Sequence, residues 1–178
     1  MVMQETVRSF ADLTAIARAF MSQKSERRLL IIVGDPGVSK SSTFSRLKDD
    51  EKHRIIKAGN LSAFQFYLQL YQSRNKVIIL DDVEEVVKRG DKTLMNLCES
   101  GAPIRTVAWY GSTSQLKVTR GKKVTRVPQE FKTSSRVVLI CNSWDILTSK
   151  TPALLDRGKV VFFDPPPGAI HEFVGKWK

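Results

Sequence analysis

Apolar residues fall along this chain in short runs, and the period of each run predicts its element. Val7, Phe10, Leu13, Ala17 and Phe20 recur at helical spacing, which predicts an amphipathic helix over 6–22. Leu29-Leu30-Ile31-Ile32-Val33 reads as a buried strand ending at Gly34, with helix over 41–48 and a second strand over 53–57. Asn60 is placed to cap a helix reaching Tyr71, with Leu61, Phe64, Leu68 and Tyr71 as its core face. Val77-Ile78-Ile79-Leu80 forms a strand ending in Asp81-Asp82, and a helix follows over 92–98. The stretch 103–131 is β-branched and basic, and reads as an extended hairpin around Gly121. An apolar strand over 136–141 ends at Asn142. A short helix over 153–156 and a strand over 160–163 follow, and after Pro165-Pro166-Pro167 a further helix begins within 168–177.

Strands alternating with helices predict an α/β fold, a mainly parallel sheet with helices on both faces and right-handed connections. The expected organisation is an N-terminal helix in 1–27 packed on a core at 28–167, with the hairpin inserted at 103–131 and 168–178 opening a lid. Ligands of such sheets bind at the carboxyl ends of the strands. Gly34 onward, Asp81-Asp82 and Asn142 collect there.

The strand ending in Val33 runs into Gly34-Asp35-Pro36-Gly37-Val38-Ser39-Lys40-Ser41, followed by Ser42. This is the P-loop pattern with Ser39 in place of its second glycine. Glycines let backbone N–H groups turn inward around phosphate oxygens, and the following helix N-terminus adds partial positive charge. Lys40 would neutralise the β/γ-phosphates of ATP, and the Ser41 hydroxyl would ligate Mg²⁺. Asp81 would hold Mg²⁺ through water, and Asp82 would orient or deprotonate the attacking water. Glu84 and Glu85 supply longer-reaching bases if Asp82 points elsewhere.

In this order these residues resemble the AAA+ family of ATPases over roughly 29–163, and the loop is similar to that of minichromosome-maintenance helicases. The resemblance implies a P-loop ATPase core, working as a DNA helicase, translocase or replication-type motor. It makes Asn142 a sensor that helps place the hydrolytic water. It makes Arg157, in Leu154-Leu155-Asp156-Arg157, an arginine finger acting on a neighbouring subunit. The partner it implies is a further copy of the chain, as in a hexameric ring. The chain departs from the family in carrying Asp82 where Glu is more frequent. It also offers no candidate for the lid's sensor arginine.

Charge adds the second partner. The net charge is +11. Between 103 and 136, Arg105, Lys117, Arg120, Lys122, Lys123, Arg126, Lys132 and Arg136 face only Glu130, leaving +7 of that excess in one segment. Lys117, Arg120, Lys122, Lys123 and Arg126 crowd two short strands and their tip, a surface suited to nucleic-acid phosphates, DNA before RNA. The position, just before the Asn142 strand, resembles the pre-sensor hairpin of AAA+ helicases. Trp109 and Tyr110 would stack on bases or pack beneath the hairpin. Two other functions fit part of this pattern, an ATP-switched nucleic-acid-binding scaffold and a small-molecule P-loop kinase. The basic hairpin argues against the kinase. Cys98 and Cys141 have apolar neighbours and read as buried thiols, and no apolar run approaches a membrane span. The expected setting is cytoplasmic.

Overall fold

The structure, a computed structural model, describes residues 3–22, 27–112 and 116–176. In chain order its elements are β1 (Met3–Val7), α1 (Phe10–Met21), β2 (Leu29–Val33), α2 (Lys40–Leu47), β3 (His53–Lys57) and α3 (Ala63–Gln72). Then come β4 (Val77–Asp81), α4 (Glu84–Lys88), α5 (Lys92–Leu97), β5 (Arg105–Ala108), β6 (Leu116–Arg120) and β7 (Lys123–Val127). The chain continues through β8 (Glu130–Thr133), β9 (Val137–Cys141), α6 (Trp144–Lys150), α7 (Pro152–Arg157), β10 (Lys159–Phe163) and α8 (Pro167–Gly175).

Six strands form one parallel sheet in the order β1-β10-β2-β9-β4-β3. Its middle strands, LLIIV, VIILD and VVLIC, are buried at every position, as continuous apolar runs covered on both faces must be. Connections running in the β1-to-β3 direction carry α1 and α2, which pack against Leu30, Ile32, Ile79 and Ile140 on one face. Connections running back carry α3 to α7, which pack against Leu29, Ile31, Leu80 and Leu139 on the other. Right-handed crossovers require this sorting by direction. Leaving β2 and its neighbour β9, the chain turns to opposite faces, so the topological switch point lies between them.

The N-terminal segment differs from the expected helix over 6–22. Thr6 and Val7 belong to edge strand β1, with Val7 beside Phe163 of β10. The helix starts only after Ser9, whose hydroxyl accepts the Asp12 N–H at 3.0 Å. Residues 1–27 therefore supply a strand of the main sheet as well as a packed helix. Helix α3 also begins later than expected. Its cap is Ser62, not Asn60, in a reciprocal capping box with Gln65. Its fully buried residues are Phe66, Tyr67 and Leu70, while Leu61, Phe64, Leu68 and Tyr71 are only partly covered. The face is rotated because α3 is squeezed between the sheet and the β5–β8 pair, whose Phe131 meets the rings of Tyr67 and Tyr71 edge-on. Helices α4 and α6 are additions to the expected elements. The described part of the last helix is α8, and Trp177 lies outside the described residues. Among the described residues no helix is long and apolar enough to cross a membrane.

The segment 103–131 holds two antiparallel pairs. Strands β5 and β8 lie against α3, and β6 and β7 form the expected hairpin, with Gly121 turning at φ +59°. The hairpin's root is anchored, since Leu116 and Val127 enter the core and Trp109 packs on Phe64 and Tyr67. The Tyr67 hydroxyl donates to the Pro128 carbonyl at 2.6 Å, and burial pushes its pKa up to about 12. Tyr67→Phe removes that donor and leaves the carbonyl short of a partner. It should lower stability by about 1–2 kcal/mol, read as an earlier urea midpoint at unchanged m-value. An unmoved midpoint would show that the hydroxyl does not hold the hairpin root.

Candidate functional site

Strand β2 ends at Val33 and the chain turns through 34–39 into α2. Gly37 takes φ +83° and Ser39 takes φ +63°. The second value explains why the P-loop pattern asks for glycine at the place Ser39 occupies, since a left-handed backbone strains any residue with a Cβ. Gly34 is required for a different reason. A Cβ there would lie 2.5 Å from the Phe163 carbonyl oxygen of neighbouring β10. Ser39 makes no side-chain cap, so the first N–H groups of α2, around Lys40, Ser41 and Ser42, have no side-chain acceptor at the cap.

Lys40 is 4% exposed, and its ammonium uses three acceptors: the Gly34 carbonyl at 2.6 Å, the Asp35 carbonyl at 2.7 Å and Asn142 Oδ1 at 2.9 Å. Burial lowers its pKa, and the negative charges of Asp81, Glu84 and Asp35 oppose that shift. The site thus joins the end of β2 to the end of β9 across the switch point. Asp81 closes it from β4, nearly buried, with its carboxylate accepting the Asp82 N–H at 3.1 Å.

Glu84 belongs to this cluster and Asp82 does not. Glu84, at the first turn of α4, accepts the backbone N–H of Asn142 through Oε1. Asp82 is exposed, takes φ +53°, and turns its Cβ toward Gly59 after β3. The two-residue step from β4 into α4 aims the carboxylates in different directions, and only the longer side chain reaches back toward Lys40. Glu85 is exposed and pairs with Lys88 at 3.0 Å. Cys141 sits beside the cluster as a free thiol, and burial raises its pKa to about 12. Cys98 is likewise buried and free.

A cleft of about 560 Å³ opens beside the loop, between the ends of β2 and β10. Gly34, Asp35, Val38 and Asn142 line its polar side, and Trp144, Phe162, Pro165 and Ile170 its apolar side. Trp144 stands edge-on to Phe162 at 4.9 Å. Sequence reasoning missed this cavity because its walls come from separate segments that meet only when β10 inserts beside β2. Magnesium coordinated mainly by phosphate oxygens needs one or two protein ligands, which the Ser41 hydroxyl and Asp81 can supply. Among the described residues no group of three His, Cys, Asp or Glu forms a metal cage.

Arg157 is not brought into this site. It ends α7 at the opposite end of the sheet, donating to the Met95 carbonyl at 3.2 Å and lying 3.5 Å from Glu99. The hairpin residues Lys117, Arg120, Lys122, Lys123 and Arg126 are all exposed. Across the ladder Lys117 stands opposite Arg126 and Arg120 opposite Lys123. Like charges directly opposite destabilise a ladder, and among the described residues no carboxylate forms an ion pair with any of the five. Trp109 packs under the hairpin, while Tyr110 is exposed and donates to Asn96 Oδ1 at 2.7 Å.

The strained loop position makes a direct prediction. Ser39→Gly relieves a left-handed serine, which outweighs the extra chain entropy of glycine. The variant should gain about 0.5–1 kcal/mol and melt a few degrees higher. A lower melting temperature would mean that the Ser39 side chain stabilises the loop.

Comparison of the chain with protein-family models and with curated proteins gives no match, so residue chemistry and geometry carry the functional reading.

Proposed function

We propose that this chain is an ATP-binding and hydrolysing P-loop core of the AAA+ kind, which assembles with further copies and couples hydrolysis to movement on DNA. The observation that carries the reading is the buried Lys40 ammonium, gripped by loop carbonyls and Asn142 with Asp81 and Glu84 beside it. A cation held at a helix N-terminus, among backbone groups that a phosphate chain can replace, is the arrangement phosphate recognition needs. The strand order agrees with this reading, since the strand carrying Asn142 lies between the one feeding the loop and the one carrying Asp81. The nucleoside occupies the cleft beside the loop, its base against Trp144 and Phe162.

Magnesium, held by Ser41 and Asp81, would neutralise phosphate charge. Glu84 takes the water-orienting role in place of Asp82, because it alone of the two reaches the Lys40–Asn142 cluster. Asn142 fixes Glu84 through its backbone N–H and reads the phosphate end through its amide. Arg157 contacts no group of its own loop, so a catalytic role for it requires a second copy. The hairpin supplies the DNA contact. Its opposed cations are costly in the free chain and are relieved by phosphates, which favours a polyanion as their partner.

The test is ATP turnover with and without single- and double-stranded DNA. Wild type should hydrolyse ATP and be stimulated by DNA. Glu84→Gln should lower turnover by about 10²- to 10⁴-fold with nucleotide binding kept, and Asp82→Asn should lower it far less. The reverse ranking would return the base to Asp82, and ATP binding without turnover would leave a nucleotide-switched scaffold. Replacing Arg120, Lys122 and Lys123 by Ala should weaken binding to all DNA sequences alike. The salt slope of that binding should shrink by about 2 to 3 units. Wild-type affinity at every salt concentration would remove the hairpin as the contact.

A further inference from the structure

Strand β5 ends at Ala108, and the chain enters the hairpin through Trp109, Tyr110 and Gly111. Trp109 is fixed in place. Its backbone N–H donates to the Gln129 carbonyl, just past β7, at 2.7 Å, and its ring packs on Phe64 and Tyr67. Gly111 folds close over the indole, where a Cβ would lie 2.2 Å from Trp109 Cζ2. Tyr110, between these two, is left 54% exposed. Its ring is nevertheless pinned at the far end, because the hydroxyl donates to Asn96 Oδ1 on α5 at 2.7 Å.

Trp109, Tyr110 and Gly111 form one wall of a pocket of about 250 Å³ at the hairpin root, and the turn from α4 into α5 forms another. Gly90 in that turn takes φ +65°, and a Cβ on it would meet nothing within 4 Å, so the turn has open space beside it. The charge around the pocket is uneven. Asp91 is the only carboxylate among the lining residues, and it is already used. It accepts the Thr93 N–H at 2.9 Å and lies 3.2 Å from Arg89. The Lys92 ammonium stands 5.5 Å over the Tyr110 ring. Among the described residues no carboxylate forms an ion pair with it.

We propose that this pocket receives an unstacked base of single-stranded DNA, which stacks on Tyr110 while Lys92 swings from the ring to a neighbouring phosphate. Every base has a π-face, so such a contact holds bases of any sequence. A base in a duplex must first be unstacked and unpaired, so the ring separates single from double strands, which phosphate contacts alone do not. Lysine has a flexible stem and a compact charge, and its hold on an exposed ring is weak, so the change of partner costs little. The inference rests on the hairpin being the DNA contact, and adds which form of DNA the contact prefers.

The experiment measures binding of the full chain to a labelled single strand, to the same strand made without bases, and to a duplex, at several salt concentrations. Tyr110→Ala should weaken single-strand binding about tenfold or more and leave duplex binding within about twofold. The salt slope should stay unchanged, because no phosphate contact is lost. Tyr110→Phe keeps the ring and should keep most of the single-strand affinity. The baseless strand should bind wild type about tenfold or more weakly than the normal strand, and should bind Tyr110→Ala as it binds wild type. Equal losses on single strand and duplex would mean that Tyr110 shapes the hairpin root, and would overturn the proposal. So would single-strand binding that neither Tyr110→Ala nor removal of the bases weakens. The baseless strand needs no variant, so wild type alone decides the matter if Tyr110→Ala fails to fold. A wild type that binds neither form of DNA defeats the hairpin reading itself, and this inference with it.

Discussion

The structure turns on a buried ammonium. Lys40 places a positive charge in a crevice where water contributes little, and holds it with two loop carbonyls and one side-chain amide. Each acceptor depends on a different part of the fold. The loop carbonyls are available because Gly37 and Ser39 adopt left-handed backbone, and because Gly34 has no Cβ to strike the Phe163 carbonyl. The amide is available because β9 inserts beside β2, which brings Asn142 across 102 positions of sequence to the mouth of the loop. An ammonium without these acceptors would carry an uncompensated desolvation penalty and shed its proton more readily. In the proposed reading, phosphate oxygens, which bring full negative charge, would take the place of these neutral acceptors.

Positive charge is placed in this molecule in two contrasting ways. On the β6–β7 hairpin it is solvated, exposed on both faces of the ribbon and free of carboxylates within ion-pair reach among the described residues. Such charge acts over a distance set by salt and confers little geometric selectivity. In the crevice at the carboxyl end of the sheet it is desolvated and held in a fixed direction, by Lys40 and its three acceptors. That charge acts at contact range and selects for shape as well as sign. The fold keeps the two kinds apart by anchoring the hairpin root through Tyr67, Trp109, Leu116 and Val127, which leaves its tip to solvent.

Much of this was legible in the chain. The continuous apolar runs at β2, β4 and β9 marked buried parallel strands, and the polar residues just beyond them marked the strand ends where the candidate site gathers. The loop around Lys40 was legible because its chemistry is local, set by residues adjacent in sequence. The basic hairpin was legible for the same reason. What was not legible depends on long-range placement. Thr6 and Val7 fit a helical period, and only the partner strand β10 makes them an edge strand. The α3 core face was misplaced by one step because the β5–β8 pair covers the helix from a second side. Asp82 and Glu84 could not be ranked from the sequence, since the turn between β4 and α4 decides which carboxylate returns to the loop. The cleft beside Trp144 left no local signal.

The central claim is that Lys40 and its loop form a nucleotide phosphate site, and the most direct test is calorimetric titration of magnesium-ATP into wild type and Lys40→Ala. Wild type should show saturable binding that weakens by roughly 10- to 100-fold or more in a variant whose circular dichroism is unchanged. Equal affinity in the folded variant, or no saturable binding by wild type, would contradict the account.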